Sequence, residues 1–246
     1  MIPDSSTSPF APTRWTLVVR ARGDSPEARA ALSELCEAYY QPVFRFLRRE
    51  GRDENTAREL TQEFFGRVLK RGDIGAADPG RGRFRSYVLG AVKHFLADQR
   101  DHDRRQKRGG GQTPESLDAP GSCDTSPALQ VPDPTGQTPE AFFDRQWALA
   151  VMDRAFNVVS SDFTREGKKG QFDALKPWLV GDTDRLSQAD VAIQLGWSET
   201  AVKVAVHRLR KRFREAVRLE IAQTLAEGAD IDDELRYLVL VLSDPH

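Results

Sequence analysis

The sequence predicts an all-α protein of two small helical domains joined by a flexible linker, the second of which contains a helix-turn-helix. Three observations carry that expectation. Every long segment repeats its apolar residues at three- and four-residue spacing, the period of an amphipathic helix. No segment alternates apolar and polar residues as a half-buried strand does. Residues 109–140 combine Gly109–Gly111 with Pro114, Pro120, Pro127, Pro132, Pro134 and Pro139 amid Ser, Thr and Asp; such a stretch buries too little to offset the entropy of ordering it. The expected division is therefore 1–108 for the first domain with a short N-terminal extension, 109–140 for an acidic linker, and 141–246 for the second domain with an acidic tail. A length of 246 residues and 27.6 kDa suits two small domains or one large one.

In chain order, the first helix carries Leu32, Leu35, Cys36, Tyr39, Tyr40, Val43, Phe46 and Leu47 on one stripe, with Ser25-Pro26 as its start. Pro42 removes one backbone donor and predicts a local kink. The second helix opens at the polar Asp53–Asn55 cluster and buries Ala57, Leu60, Phe64 and Val68. Asp78–Gly82 reads as a loop. A third helix places Phe84, Val88, Ala91, Val92, Phe95 and Leu96 inward, with Ser86, Lys93, Arg100 and Arg104 on the opposite side. Beyond the linker, Thr138-Pro139-Glu140 starts a fourth helix whose buried set is Phe143, Trp147, Ala150, Val151, Ala155 and Val158. After a Gly/Lys-rich loop at Gly167–Gly170, Phe172, Leu175, Trp178 and Leu179 indicate a further short helix.

The longest apolar runs, such as Trp15–Val19, are far shorter than the ~20 residues that span a bilayer, and the N-terminus lacks a basic start followed by an apolar stretch. Two cysteines, Cys36 and Cys123, are too few for a disulfide framework or a four-cysteine zinc site. A cytoplasmic, reducing location is the expectation.

Net charge is -1, yet its distribution is uneven. Residues 80–108 carry nine basic side chains against three acidic ones, and residues 198–218 carry seven against two. Residues 109–140 have five acidic residues and no basic one. Two separated basic stretches with acidic material between and after them fit a protein that touches a polyanion at two places; solvated helix faces are the plain alternative.

Residues 187–214 read SQADVAIQLGWSETAVKVAVHRLRKRFR. Ser187 caps a helix with Val191, Ala192 and Leu195, Gly196 makes a tight turn, and Ser198 caps a second helix with Val202, Val206, Leu209 and Phe213 inward. Thr200, Lys203, Val204, His207 and Lys211 then point outward, flanked by Arg208 and Arg210, in position to enter a major groove.

This helix-turn-helix, ending in the pattern of Val202, Lys203, His207, Arg208 and Arg210, resembles region 4 of the extracytoplasmic-function (ECF) sigma factors of bacterial RNA polymerase. Separately, Glu59-Leu60-Thr61-Gln62-Glu63-Phe64-Phe65 followed by Gly82-Arg83-Phe84-Arg85-Ser86-Tyr87 resembles region 2 of the same family. The two occur in the family's order and cover most of residues 30–108 and 141–218. The resemblance implies a dissociable polymerase subunit; the sequence carries no nucleophile-base arrangement or paired-acid motif, so no catalytic activity and no cofactor are expected of the chain alone. The resemblance implies that Glu59, Gln62 and Glu63, beside Phe64 and Phe65, dock on the β′ clamp helices of the polymerase core. Arg83, Phe84, Tyr87, Lys93, Arg100 and Arg104 would engage the −10 element of promoter DNA, an aromatic supporting an unstacked base and the cations holding phosphates. Ser198, Thr200, Lys203, Val204, His207, Arg208 and Arg210 would engage the −35 element, with the β flap as a second polymerase contact. An anti-sigma factor is a further partner the resemblance allows. Val204 and Ala205 stand where the family often has Ser and Arg, which bears on base preference at the −35 element, and the region around Arg165–Gly170 with the acidic tail marks a divergent subgroup. Glu115, Asp118, Asp124 and Asp133 would mimic an RNA backbone in the polymerase's RNA path, or simply solubilise the linker.

Two other readings compete. A helix-turn-helix regulator that does not bind core polymerase explains residues 187–214 equally well but not the Glu59–Phe65 segment. A metalloenzyme would use His94, Asp98 and His102, spaced by four on one helix.

Overall fold

A computed structural model of the chain describes residues 25–71, 83–107, 137–181, 187–223, 225 and 230–243, and its elements are all helices, with no strand among the described residues. The chain is all-α in these residues, as expected. The Trp15–Val19 run, the Asp78–Gly82 loop, the glycine triplet, Cys123, the four acidic linker residues and the side chain of Leu32 lie outside them.

Helix α1 (Pro26–Arg49) buries Leu35, Tyr39, Val43, Phe46 and Leu47, with Cys36 and Tyr40 half-buried beside them. It runs as one helix through Pro42, where a kink was expected. Pro42 leaves the Ala38 carbonyl without its usual backbone donor, and Arg154 supplies one at 3.1 Å. Helix α2 (Glu54–Arg71) starts at Asp53, whose carboxylate accepts from the backbone N–H groups of Asn55 and Thr56 at 3.0 Å each. Thr56 also donates its hydroxyl to Asp53 at 2.5 Å, and these bonds hold the carboxyl below its ordinary range. Ala57, Phe64 and Phe65 are buried, while Leu60 and Val68 pack at the edge. Helix α3 (Phe84–Lys107) turns Phe84, Val88, Val92, Phe95 and Leu96 inward as the spacing predicts.

Helix α4 (Pro139–Arg165) begins at the Thr138 cap, whose hydroxyl accepts from the Ala141 N–H at 3.2 Å. Its buried face corrects the expected one. Val158 is 46% exposed, whereas Phe143, Trp147, Val151, Ala155, Val159 and Phe163 are buried. These six advance by four residues each time, and four residues turn ~400°, so the stripe drifts ~40° per step around the helix. The drift lets one helix serve two sets of neighbours: α1 at its N-terminal half and α5 near its C-terminal end.

The short helix expected around Phe172–Leu179 is two pieces, α5 (Lys169–Leu175) and α6 (Pro177–Val180). Pro177 has no N–H to continue the ladder, and it begins the second piece instead. Helices α7 (Gln188–Leu195) and α8 (Glu199–Ala222) follow, joined by three residues. Helix α9 (Ile231–Ser243) stands where the composition predicts only an acidic tail. Its signals are present in the chain: the Asp230 carboxylate accepts the Asp232 N–H at 2.8 Å, Asp232, Asp233 and Glu234 fill the first turn, and Ile231, Leu235, Leu238 and Leu242 share a face.

Helix α4 is the hub, packing on α1, α3, α5, α8 and α9. Phe46 and Phe143 meet edge to face with centroids 6.1 Å apart, so helices before and after residues 108–136 share one apolar interior. No helix among the described residues is long and apolar enough to cross a membrane.

Candidate nucleic-acid interface

The α7–α8 pair is fixed by local chemistry at each corner. The Ser187 hydroxyl accepts the Asp190 N–H at 3.1 Å while the Asp190 carboxylate accepts from the Ser187 backbone, a reciprocal cap. Gly196 ends α7 at φ +66°, in the left-handed region that favours glycine. Ser198 then caps α8 by accepting the Ala201 N–H at 3.2 Å. Val202, Val206 and Leu209 are buried with Val191 and Ala192, and that buried seam rotates the other residues of α8 outward. Thr200, Lys203, Val204, His207, Arg208 and Lys211 are exposed. Lys203, His207, Arg208 and Lys211 form no ion pair among the described residues.

Arg210 and Arg212, next along the helix, are engaged elsewhere. Arg210 donates Nε and Nη2 to the Trp178 carbonyl at 3.3 and 3.1 Å, tying α6 to α8. The −35 contact expected of Arg210 is in competition with this internal role. Arg212 lies over the Phe163 ring at 4.8 Å and pairs with Glu166 at 2.8 Å. Hydrogen bonds from Lys168 and Arg212 hold the Glu166 carboxyl down to about 2. A groove of about 650 Å³ runs beside this part of α8, lined among others by Trp197, Val204, Leu209, Lys168, Arg208 and Arg212.

The second basic stretch, on α3, is built differently. Phe84 was expected to support an unstacked base, but it is 3% exposed and lies edge-on to Tyr39 at 5.3 Å. Burial of the whole α3 stripe draws Phe84 into the core, and half-buried Tyr87, 5.9 Å away, is the more accessible ring. Lys93 and Arg100 do project from the far side, each toward a carboxylate. Lys93 pairs with Glu140 of α4, and Arg100 with Glu50 at 3.0 Å. Arg104 is exposed and lies 4.0 Å from Asp101. Arg83 pairs with Glu234 of α9 at 3.2 Å.

Five residues outside the sequence-predicted sites, Arg85, Asp144, Trp147, Glu234 and Tyr237, come together at the start of α3. Arg85 is 3% exposed and donates Nε to Asp144 at 2.9 Å and Nη1 to Glu234. Its guanidinium lies between the rings of Trp147 and Tyr237, at 4.3 and 4.9 Å. Tyr237 donates its hydroxyl to Asp144. Arg85 belongs to the basic stretch 80–108, and no local signal marks it as buried, because its partners are 59 and 149 residues away.

The third surface is on α2. Glu59, Gln62 and Glu63 are exposed on adjacent turns, with Glu63 held by Arg67 at 2.7 Å and by Gln99 at 2.8 Å. Phe64 and Phe65, expected beside them at a protein interface, are buried instead: Phe64 packs on Phe95 and Phe65 on Tyr40. The accessible face here is polar.

No family model, curated protein or solved structure matches the chain. His94 and His102 are exposed on α3, and no group of three His, Cys, Asp or Glu side chains able to hold a metal ion occurs among the described residues.

Proposed function

We propose that the chain is an RNA polymerase sigma factor of the extracytoplasmic-function type, divergent from the usual pattern, that binds core polymerase and directs promoter recognition and transcription initiation. The observation that carries this reading is the outward ridge of α8, where Thr200, Lys203, Val204, His207, Arg208 and Lys211 stand exposed above a buried seam. A ridge of that composition on a capped helix, preceded by a tight glycine turn, has the shape and charge to lie in a DNA major groove as the second helix of a helix-turn-helix. Lys203 and His207 are the residues for base edges, and Arg208 is for phosphate.

The α2 face of Glu59, Gln62 and Glu63 is assigned to the polymerase core, with carboxylates meeting basic residues on the β′ clamp helices. Tyr87, Lys93, Arg100 and Arg104 on α3 are assigned to the −10 element. On this reading the chain grips DNA at two surfaces, one on α3 and one on α8, in the cytoplasm, without a cofactor or a reaction of its own.

In vitro transcription with core polymerase over a genomic promoter library tests the reading. Promoter-specific transcripts that depend on the chain are the expected result. Duplex binding without association with core polymerase would make the protein a helix-turn-helix regulator.

A further inference from the structure

The two basic surfaces differ in a way that composition does not reveal. On α8, Lys203, His207, Arg208 and Lys211 face solvent with no ion pair among the described residues, whereas Arg83, Arg85, Lys93 and Arg100 at and along α3 are answered by carboxylates from elsewhere in the chain. Arg83 and Arg85 take the two oxygens of the same side chain: Arg83 Nε meets Glu234 Oε2 at 3.2 Å, and Arg85 Nη1 donates to Glu234 Oε1. Two guanidinium groups converging on two oxygens of one anion is the arrangement by which arginines hold a phosphate. Tyr237, one turn further along α9, adds its ring to both, 4.6 Å from Arg83 and 4.9 Å from Arg85.

Helix α9 is fastened at its ends as well. Arg218 of α8 pairs with Asp232 in its first turn, and Arg145 of α4 donates to the carbonyls of Val241 and Leu242 in its last. None of these fastenings is deep except the one at Glu234, which is 3% exposed. There, Arg85 Nη2 still has no hydrogen-bond partner among the described residues, one donor more than Asp144 and Glu234 satisfy.

We infer that α9 is an intramolecular cover, with the Glu234 carboxylate occupying at Arg83 and Arg85 the place of a nucleic-acid phosphate. The free chain is closed at Arg83 and Arg85, where α3 starts, and open at α8. Lifting α9 exposes Arg83 and Arg85 for a single DNA strand. The inference rests on the assignment of α3 to DNA in the function proposed above.

The test measures binding of the full-length chain to a 20-nucleotide oligo-dT and to duplex DNA by fluorescence anisotropy across a salt series. Glu234→Gln should tighten oligo-dT binding about tenfold, and its salt dependence should steepen by about 0.7 per phosphate gained. Duplex binding, carried by α8, should be unchanged. Asp233→Asn makes the same change in net charge on α9 without touching α3, and should leave oligo-dT binding as in the wild type. Amide exchange should quicken in α9 and not in α7. If Glu234→Gln loses helicity, Tyr237→Phe decides, since it removes only the hydroxyl bonded to Asp144; about threefold tighter oligo-dT binding supports the cover. Unchanged oligo-dT binding in the folded variants, with duplex binding intact, overturns the cover alone. Equal gains for Asp233→Asn overturn it too, because net charge would then suffice. Absence of both oligo-dT and duplex binding in wild type and variants overturns the parent function and the cover together.

Discussion

Arg154 donates a hydrogen bond to the carbonyl oxygen of Ala38 at 3.1 Å, and that oxygen is the one Pro42 leaves without an intrahelical donor. A proline four residues on removes the N–H that would have reached Ala38. The same guanidinium pairs through Nε with Glu220 of α8 at 2.7 Å, so one side chain on α4 repairs α1 and ties it to α8.

Two consequences are measurable. Arg154→Ala should lower stability by about 2 kcal/mol in urea unfolding, since hydrogen bonds to charged groups contribute ~1.5–3 kcal/mol and the site is only partly buried. Pro42→Ala restores a backbone donor for Ala38, so in that background the cost of Arg154→Ala should shrink. A double-mutant cycle with no coupling between the two positions would show that the contact is incidental.

The edge-to-face pair of Phe46 and Phe143 joins α1 to α4. Phe143→Ala should cost about 3–5 kcal/mol, the range for deleting a buried aromatic ring. Because both halves pack on α4, unfolding of the wild type followed by helix circular dichroism and by tryptophan fluorescence should coincide in one transition. Two separated transitions would mean that the shared interior does not couple the halves.

Glu63→Lys combined with Gln62→Ala should abolish copurification with core polymerase and leave helicity intact. Both side chains are exposed and the Glu63–Arg67 pair lies at the surface, where such pairs contribute about 0–1 kcal/mol. Core affinity unchanged in a folded variant would remove the α2 face from the docking assignment.

On α8, Lys203→Ala and His207→Ala should each relax base preference by about 1–3 kcal/mol at one position of the site. Arg210→Ala should act differently, because its guanidinium holds the Trp178 carbonyl. Its main effect should be a loss of about 1 kcal/mol in thermal stability, within the range for a single hydrogen bond. Promoter-library profiles together with melting curves separate the two classes.

Acid should weaken the contact between the end of α4 and α8. Glu166 is depressed from an ordinary 4.5 to about 2 by its bonds to Lys168 and Arg212. A depressed folded value means the stabilisation is fully present above the unfolded value and disappears as pH falls through the folded one. Glu166→Gln should therefore flatten the fall in melting temperature between about pH 4.5 and pH 2. A variant that follows the wild-type acid limb would leave the Lys168–Glu166–Arg212 cluster without a role in stability.

The sequence by itself determined the helices, their starts and most of their buried faces, because periodicity and caps are properties of neighbouring residues. Ser187, Gly196 and Ser198 mark the α7–α8 corner through bonds that reach no further than three or four positions, and Asp53 and Thr138 do the same for α2 and α4. Even α9, passed over in the chain as a charged tail, carried an ordinary acidic first turn. Only the tertiary structure decided which charges are surface. Lys93, Arg100, Arg83 and Lys203 read alike as solvated cations, yet the first three meet carboxylates and the last does not. Arg85 reads as one more basic residue of a DNA-binding helix, but it is buried between two aromatic rings with Asp144 and Glu234 as partners. A helix wheel fixes the direction of a side chain relative to its own axis. Its electrostatic partner depends on which other helix is brought alongside, and here that helix lies up to 149 residues further along the chain.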